Sequence, residues 1–118
     1  FVPIIPAYAG MKTELLDILD CSYLDGLIIE AFGAGNLPQE VAKKLTCFIN
    51  QGIPVALVSR CFNGIAEPVY AYPGGGVQLH ESGVYFVKEL NAPKARLKLL
   101  IALNAGLKGQ ELKEYMEG

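Results

Sequence analysis

Residues 27–38 read Leu27-Ile28-Ile29-Glu30-Ala31-Phe32-Gly33-Ala34-Gly35-Asn36-Leu37-Pro38, and this stretch decides the fold. From Leu27 to Phe32 the chain is apolar except at Glu30. Such a run is too short for an ordinary helix and lacks the alternation of a half-exposed strand, so it fits a strand covered on both faces. Asp25-Gly26 punctuates the chain just before it, and two glycines and an asparagine turn the chain after it. Pro38 then suits the first turn of a helix, where its missing donor is not needed. A doubly covered strand that runs straight into a helix is the repeating unit of a parallel α/β sheet.

The flanking segments repeat the unit. Val41, Leu45, Phe48 and Ile49 fall at helical spacing with Lys43 and Lys44 opposite, and Gly52 ends that helix. Ile53 to Ser59 reads as the next buried strand, with Pro54 near its start where a lost donor is tolerated. Upstream, Val2 to Ile5 reads as a first strand stopped by Pro6 and Gly10, and Met11 to Leu19 as a short helix. Residues 60–83, with Gly74-Gly75-Gly76 among them, read as a long loop with room for one short strand, followed by a fourth strand from Val84 to Val87. Asn91 suits the cap of a helix over 94–104, which Gly106 or Gly109 closes, and Glu111 to Met116 forms a last short helix. With right-handed crossovers, this order implies one α/β domain over residues 1–118. The expected architecture is a small three-layer sandwich with a roughly four-stranded parallel sheet and helices on both faces, Rossmann/flavodoxin-like.

Bulk properties exclude whole classes of function. The 118 residues are 52% hydrophobic and 19% charged, which rules out a disordered chain. A net charge of −2 without a polybasic run offers no footprint for nucleic acid or for an anionic membrane surface. No segment approaches the roughly 20 apolar residues that span a bilayer. Cys21, Cys47 and Cys61 are odd in number and far apart, and the single His80 has no metal-ligating neighbour at useful spacing. Neither a disulfide framework nor a metal site is expected, only reduced, mostly buried thiols of a cytoplasmic protein. The chain begins at Phe1 rather than Met and enters a strand at once, the opening expected of a domain cut from a longer protein.

Two segments concentrate the chemistry. Gly33-Ala34-Gly35-Asn36 lies where a strand's carboxyl end meets a helix, the edge at which open α/β sheets bind ligands. Glycines there allow a ligand or another backbone to approach closely, while the structural alternative is a tight turn with Asn36 capping the helix. A dinucleotide fingerprint fails because Pro38 stands where the third glycine is needed. Ser59-Arg60-Cys61-Phe62-Asn63-Gly64 ends the next strand on the same edge. Ser59 or Cys61 as a nucleophile needs a nearby base, and His80 is the only histidine; the alternative for Cys61 is a small buried residue at a strand end. His80-Glu81 reads as a solvated loop pair, and Tyr70, Tyr72 and Tyr85 as core or interface aromatics. The 94–104 helix carries Leu97 and Ile101 opposite Ala95, Leu99 and Ala102. Both sides are apolar, so it is either sandwiched within the domain or packed on a partner domain or protomer.

At these loops the sequence resembles the L-asparaginase family, in particular its bacterial type I branch. The likeness is carried by 25–38 and 53–64, and continues through Tyr70, Gly75 to Leu79, the Ser82-Gly83-Val84 turn and the helix from Ala95 through Leu99. It implies a cofactor-free amidohydrolase that converts L-asparagine and water to L-aspartate and ammonia. It also implies a homodimer or homotetramer whose active sites lie between protomers. In that family a threonine nucleophile and a second Thr-Asp-Lys group sit in an N-terminal domain, on T-G-G-T and H-G-T-D-T motifs absent from this chain. The only threonines here are Thr13 and Thr46, both on expected helices, so no catalytic residue is expected in this fragment. The resemblance assigns Asn36 to the wall of a neighbouring protomer's site, near the substrate's amino group, with Gly33 and Gly35 permitting the approach. It further implies a possible effector site using Cys61 and a basic residue at the end of the second strand. Glu30 stands there instead, and Arg60 is the candidate substitute. The asparaginase-like subunit of a glutamyl-tRNA amidotransferase is the nearest alternative. A free-standing small-ligand-binding regulatory module is the other.

Overall fold

In a computed structural model, described here for residues 1–61, 65–68 and 74–118, the apolar runs pair into one parallel sheet. Its strands are β1 (Ile4–Pro6), β2 (Leu27–Ala31), β3 (Val55–Ser59) and β4 (Tyr85–Phe86), side by side in chain order. Ile4 lies opposite Ile28, Leu27 opposite Val55, and Ala56 opposite Tyr85. Leu27, Ile28 and Ile29 are all fully buried, as a strand covered on both faces requires.

The alternation of side chains along the strands divides the core in two. Leu27, Ile29, Val55 and Leu57 face one side, where they meet α1 (Glu14–Asp17), α2 (Gln39–Asn50) and α3 (Gly76–Glu81) through Leu16, Val41, Leu45, Phe48 and Leu79. Ile28, Ala56 and Val58 face the other side, against α4 (Ala92–Asn104) and α5 (Gly109–Glu117) through Ala95, Leu99, Ala102, Leu112 and Met116. The three crossover helices therefore share one face, as same-handed crossovers between consecutive neighbours demand. Among the described residues, the helices that close the second face are those that follow β4. This is the expected three-layer α/β sandwich, but its strand order lacks the reversal that defines Rossmann and flavodoxin sheets.

Several local expectations change. Pro38 is the cap residue of α2 rather than its first helical residue, with an extended ψ of 143°. The helix expected over 11–19 shrinks to the four residues of α1, and β1 starts at Ile4. The run 60–83 contains α3, which its glycines concealed. Phe62, Asn63, Gly64, Tyr70 and Tyr72 lie outside the described residues. Asn91 caps α4 as expected, its side-chain oxygen accepting from the Lys94 N–H at 3.0 Å. The thiols are not mostly buried: Cys47 and Cys61 are exposed and Cys21 is half-buried. Nor is His80 a solvated loop residue. It sits half-buried on α3, its Nε2 2.9 Å from Glu117 on α5, and edge-on to the Phe86 ring. The same Glu117 carboxylate accepts from the Phe86 N–H at 2.9 Å, so α5 covers the open edge of β4.

On α4, Leu99 is fully buried whereas Leu97 and Ile101 are 57% and 59% exposed. Leu99→Ala should therefore destabilise the domain by about 2–5 kcal/mol, while Leu97→Ala should stay within about 0.5 kcal/mol. Urea unfolding monitored by circular dichroism measures both, and equal losses would contradict this assignment of inner and outer faces.

Candidate functional site at the carboxyl edge of the sheet

Because the strands are parallel, β1, β2 and β3 all deliver their following loops to one edge. Backbone bonds tie these loops where they leave the sheet: Ala7 N–H donates to Glu30 O at 2.7 Å, and Arg60 N–H to Ala31 O at 2.9 Å. The Arg60 guanidinium donates to the Ala7 carbonyl and lies 5.9 Å above the Phe32 ring. One cation thus spans the first and second loops from the third.

The middle loop is a closed turn. Phe32 and Asn36 exchange both backbone hydrogen bonds, each at 2.9 Å, and Gly35 N–H also donates to Phe32 O at 2.8 Å. A turn this tight needs left-handed backbone, found at Gly33 (φ +48°) and Gly35 (φ +125°). The two glycines differ in their surroundings. A Cβ on Gly33 would meet none of the described residues within 4 Å, so among them that face is open to an approaching group. A Cβ on Gly35 would lie 2.7 Å from Phe86 and 3.1 Å from Leu57, so Gly35 serves the domain's own packing. Outside bonds anchor the turn: Ser59 Oγ donates to Gly33 O at 2.6 Å, Glu67 N–H to Ala34 O at 2.8 Å, and Leu37 N–H to Gly74 O at 2.9 Å. Gly74 must itself be glycine, since a Cβ there would fall 2.2 Å from the Leu37 carbonyl.

Asn36 closes this turn, and its side chain is left over. The residue is half-buried and Oδ1 is enclosed, yet among the described residues it is the one buried side-chain nitrogen or oxygen without a hydrogen-bond partner. It does not cap α2, whose cap is Pro38 with no side-chain bond. The capping alternative is thereby removed. An enclosed acceptor without a donor costs about 1–3 kcal/mol, and a bound amine or amide would remove that penalty.

The other sequence candidates fall into different roles. Ser59 has its hydroxyl engaged with Gly33 O and accepts from the Cys61 N–H at 3.1 Å, and His80 is paired with Glu117 at 2.9 Å. Neither belongs to a nucleophile–base pair. Cys61 is exposed, Glu30 is half-buried at the end of β2, and Arg60 is committed to Ala7 and Phe32. Among the described residues no hydrogen bond or ion pair joins these three. Thr46 donates to Ala42 O at 3.2 Å and Thr13 to Asp17 at 2.8 Å. That Thr13 bond is the leading cause, with Lys44 next, of an Asp17 carboxyl held below its usual pKa. Both threonines are spent on local bonds. In the sequence, the anchoring role of Ser59 is marked only by a hydroxyl two residues before Cys61 at the end of a buried strand, and that of Gly74 is masked by its glycine neighbours. The described residues hold no cluster of three metal-ligating side chains and no helix long and apolar enough to cross a membrane.

Comparison with known proteins gives this edge a context. Residues 1–116 match the family model described as the glutaminase/asparaginase C-terminal domain. Over 113 residues the chain is 42% identical to a probable L-asparaginase of Deinococcus radiodurans, covering 95% of this chain and 34% of that protein. It is 28% identical to a glutamyl-tRNA(Gln) amidotransferase subunit of Pyrococcus furiosus, covering 98% of this chain and 26% of that one. The crystal structure of L-asparaginase I from Vibrio cholerae superposes with a TM-score of 0.82 at 26% identity, over 99% of this chain and 35% of the other. The chain thus spans roughly a third or less of the length of these proteins.

The environments of the two glycines predict opposite tolerances. Gly35→Ala should lower stability by about 1–3 kcal/mol, through overpacking and a backbone strained for any side chain. Gly33→Asn, whose side chain tolerates left-handed backbone, should remain within about 1 kcal/mol of the wild type. Thermal unfolding of the two variants distinguishes them, and the reverse order would contradict the geometry.

Proposed function

The chain belongs to the glutaminase/asparaginase C-terminal domain family, and we propose on that footing that it is the C-terminal part of a longer L-asparaginase. The parent hydrolyses L-asparagine to L-aspartate and ammonia, with a threonine nucleophile supplied by an N-terminal domain outside this sequence. This part contributes Asn36 to the site of a neighbouring protomer, in a cytoplasmic homodimer or homotetramer. The exposed Leu97 and Ile101 on α4 are available to the rest of that assembly.

The observation that supports this reading is the enclosed, partnerless Oδ1 of Asn36. An α-ammonium group is a donor of the kind that oxygen lacks. A neutral amide accepts from it without adding net charge, so the substrate's own carboxylate is not repelled. Because Oδ1 is already held away from water, little reorganisation accompanies binding, and the contact serves mainly to orient the substrate. Asn36 does not project from the surface, so the ligand must be brought to it. The open face at Gly33 leaves room beside the turn for a substrate held by a neighbouring protomer.

The match to the Pyrococcus amidotransferase protein supports a second reading, in which the parent releases ammonia for a tRNA-dependent amidation. The higher identity to the Deinococcus protein favours the first.

Two assays test the proposal. The 118-residue chain alone should not release ammonia from asparagine, whereas the full-length parent should, without tRNA or a partner protein. In that parent, Asn36→Ala should lower kcat/KM by about 10- to 100-fold, as expected when a hydrogen bond worth about 1.5–3 kcal/mol to a charged group is lost. Unchanged kinetics would remove Asn36 from the site, and activity seen only with tRNA and partner proteins would favour the amidotransferase.

A further inference from the structure

The turn that carries Asn36 is joined to β3 by one side chain. Val55, Leu57 and Ser59 follow one another on the same face of that strand, and the first two belong to the core. At the third position, where the core ends, a hydroxyl replaces the hydrocarbon. A serine hydroxyl has one proton to donate and lone pairs to accept with, and Ser59 uses both functions. It donates to the Gly33 carbonyl at 2.6 Å and accepts the Cys61 N–H at 3.1 Å, linking segments 26 residues apart in sequence.

The target of the donated proton is informative. Gly33 is left-handed, and no described residue comes within 4 Å of where its Cβ would stand, so among the described residues none packs there to fix the direction of its carbonyl. The far side of the turn is fixed, because Gly35 is wedged against Phe86 and Leu57. Only the Ser59 bond and the Glu67 bond to Ala34 constrain the near side from outside among the described residues. Rotation of the Gly33–Ala34 peptide would tilt the Phe32–Asn36 closure, and with it the amide of Asn36.

Resting on the reading of Asn36 given above, we propose that Ser59 is a positioning residue for substrate binding: its hydroxyl sets the orientation of the turn and so the direction of Asn36 Oδ1. It touches no substrate. Its bond to Gly33 O is exposed to solvent, so water can replace it with little loss of stability. What water cannot replace is the fixed direction.

The test is a double-mutant cycle in the full-length enzyme, with Ser59→Ala, Asn36→Ala and the pair, reading KM, kcat and melting temperature for each. Ser59→Ala should melt like the wild type and raise KM for asparagine by about tenfold, within the roughly hundredfold that an ångström-scale misplacement can cost. In the Asn36→Ala background it should raise KM no further, since there is nothing left to aim. Ser59→Thr keeps the hydroxyl and should restore most of the affinity. If Asn36→Ala raises KM while Ser59→Ala does not, or if the two effects multiply independently, the positioning role is wrong and the Asn36 site survives. A Ser59→Ala protein that fails to fold also overturns the proposal, because it makes the hydroxyl structural. If Asn36→Ala itself has no effect, the underlying reading falls instead.

Discussion

The reciprocal pair of hydrogen bonds between Phe32 and Asn36 is the constraint on which the arrangement of the sheet's carboxyl edge depends. It forces the chain leaving β2 to close within five residues. That closure requires glycine-compatible backbone at 33 and 35, presses position 35 into the core beside Phe86 and Leu57, and leaves the carbonyls of 33 and 34 pointing outward for Ser59 and Glu67. Once these backbone groups are satisfied, the side-chain oxygen of Asn36 is enclosed and has no partner. Among the buried side-chain polar atoms of the described residues, this one alone is left without a partner.

The rest of the domain makes this edge stiff. β2 is buried on both faces and fixed between β1 and β3, so the base of the turn has little freedom. Arg60 adds a strap from the third loop across Phe32 to the first. The absence of a reversal in strand order has a consequence as well. A doubly wound sheet opens a crevice where its crossovers diverge, whereas here the three crossovers lie on one face and no such divergence occurs. The edge is therefore better suited to forming one wall of a site than to holding a ligand by itself. That accords with a chain spanning about a third of the Deinococcus and Vibrio proteins.

Much of this was legible in the sequence because burial writes itself as continuous apolar runs. β2, β3 and α2 follow, to within two residues at their ends, from the runs 27–32 and 53–59 and the spacing of Val41, Leu45, Phe48 and Ile49, and Asn91 signals its cap. Strand adjacency was not legible, since an apolar run does not name its neighbour. α3 was hidden because three glycines reproduce the signature of a loop, although Gly74 is there to clear the Leu37 carbonyl. At the site, the positions of Asn36 and the glycines could be read, but not the division of labour between Gly33 and Gly35. That division depends on Phe86, 51 residues away in the sequence. The exposure of Cys61 is hidden in the sequence because a small apolar-looking residue after a buried strand reads as core until the strand's end is located.

The most direct measurement is a crystal structure of the full-length protein with L-aspartate bound. Asn36 Oδ1 should lie about 2.7–3.2 Å from the α-ammonium of an aspartate held by the neighbouring protomer, with the 32–36 turn unchanged. An Oδ1 paired within its own domain, with the ligand's ammonium bound entirely by other residues, would contradict it.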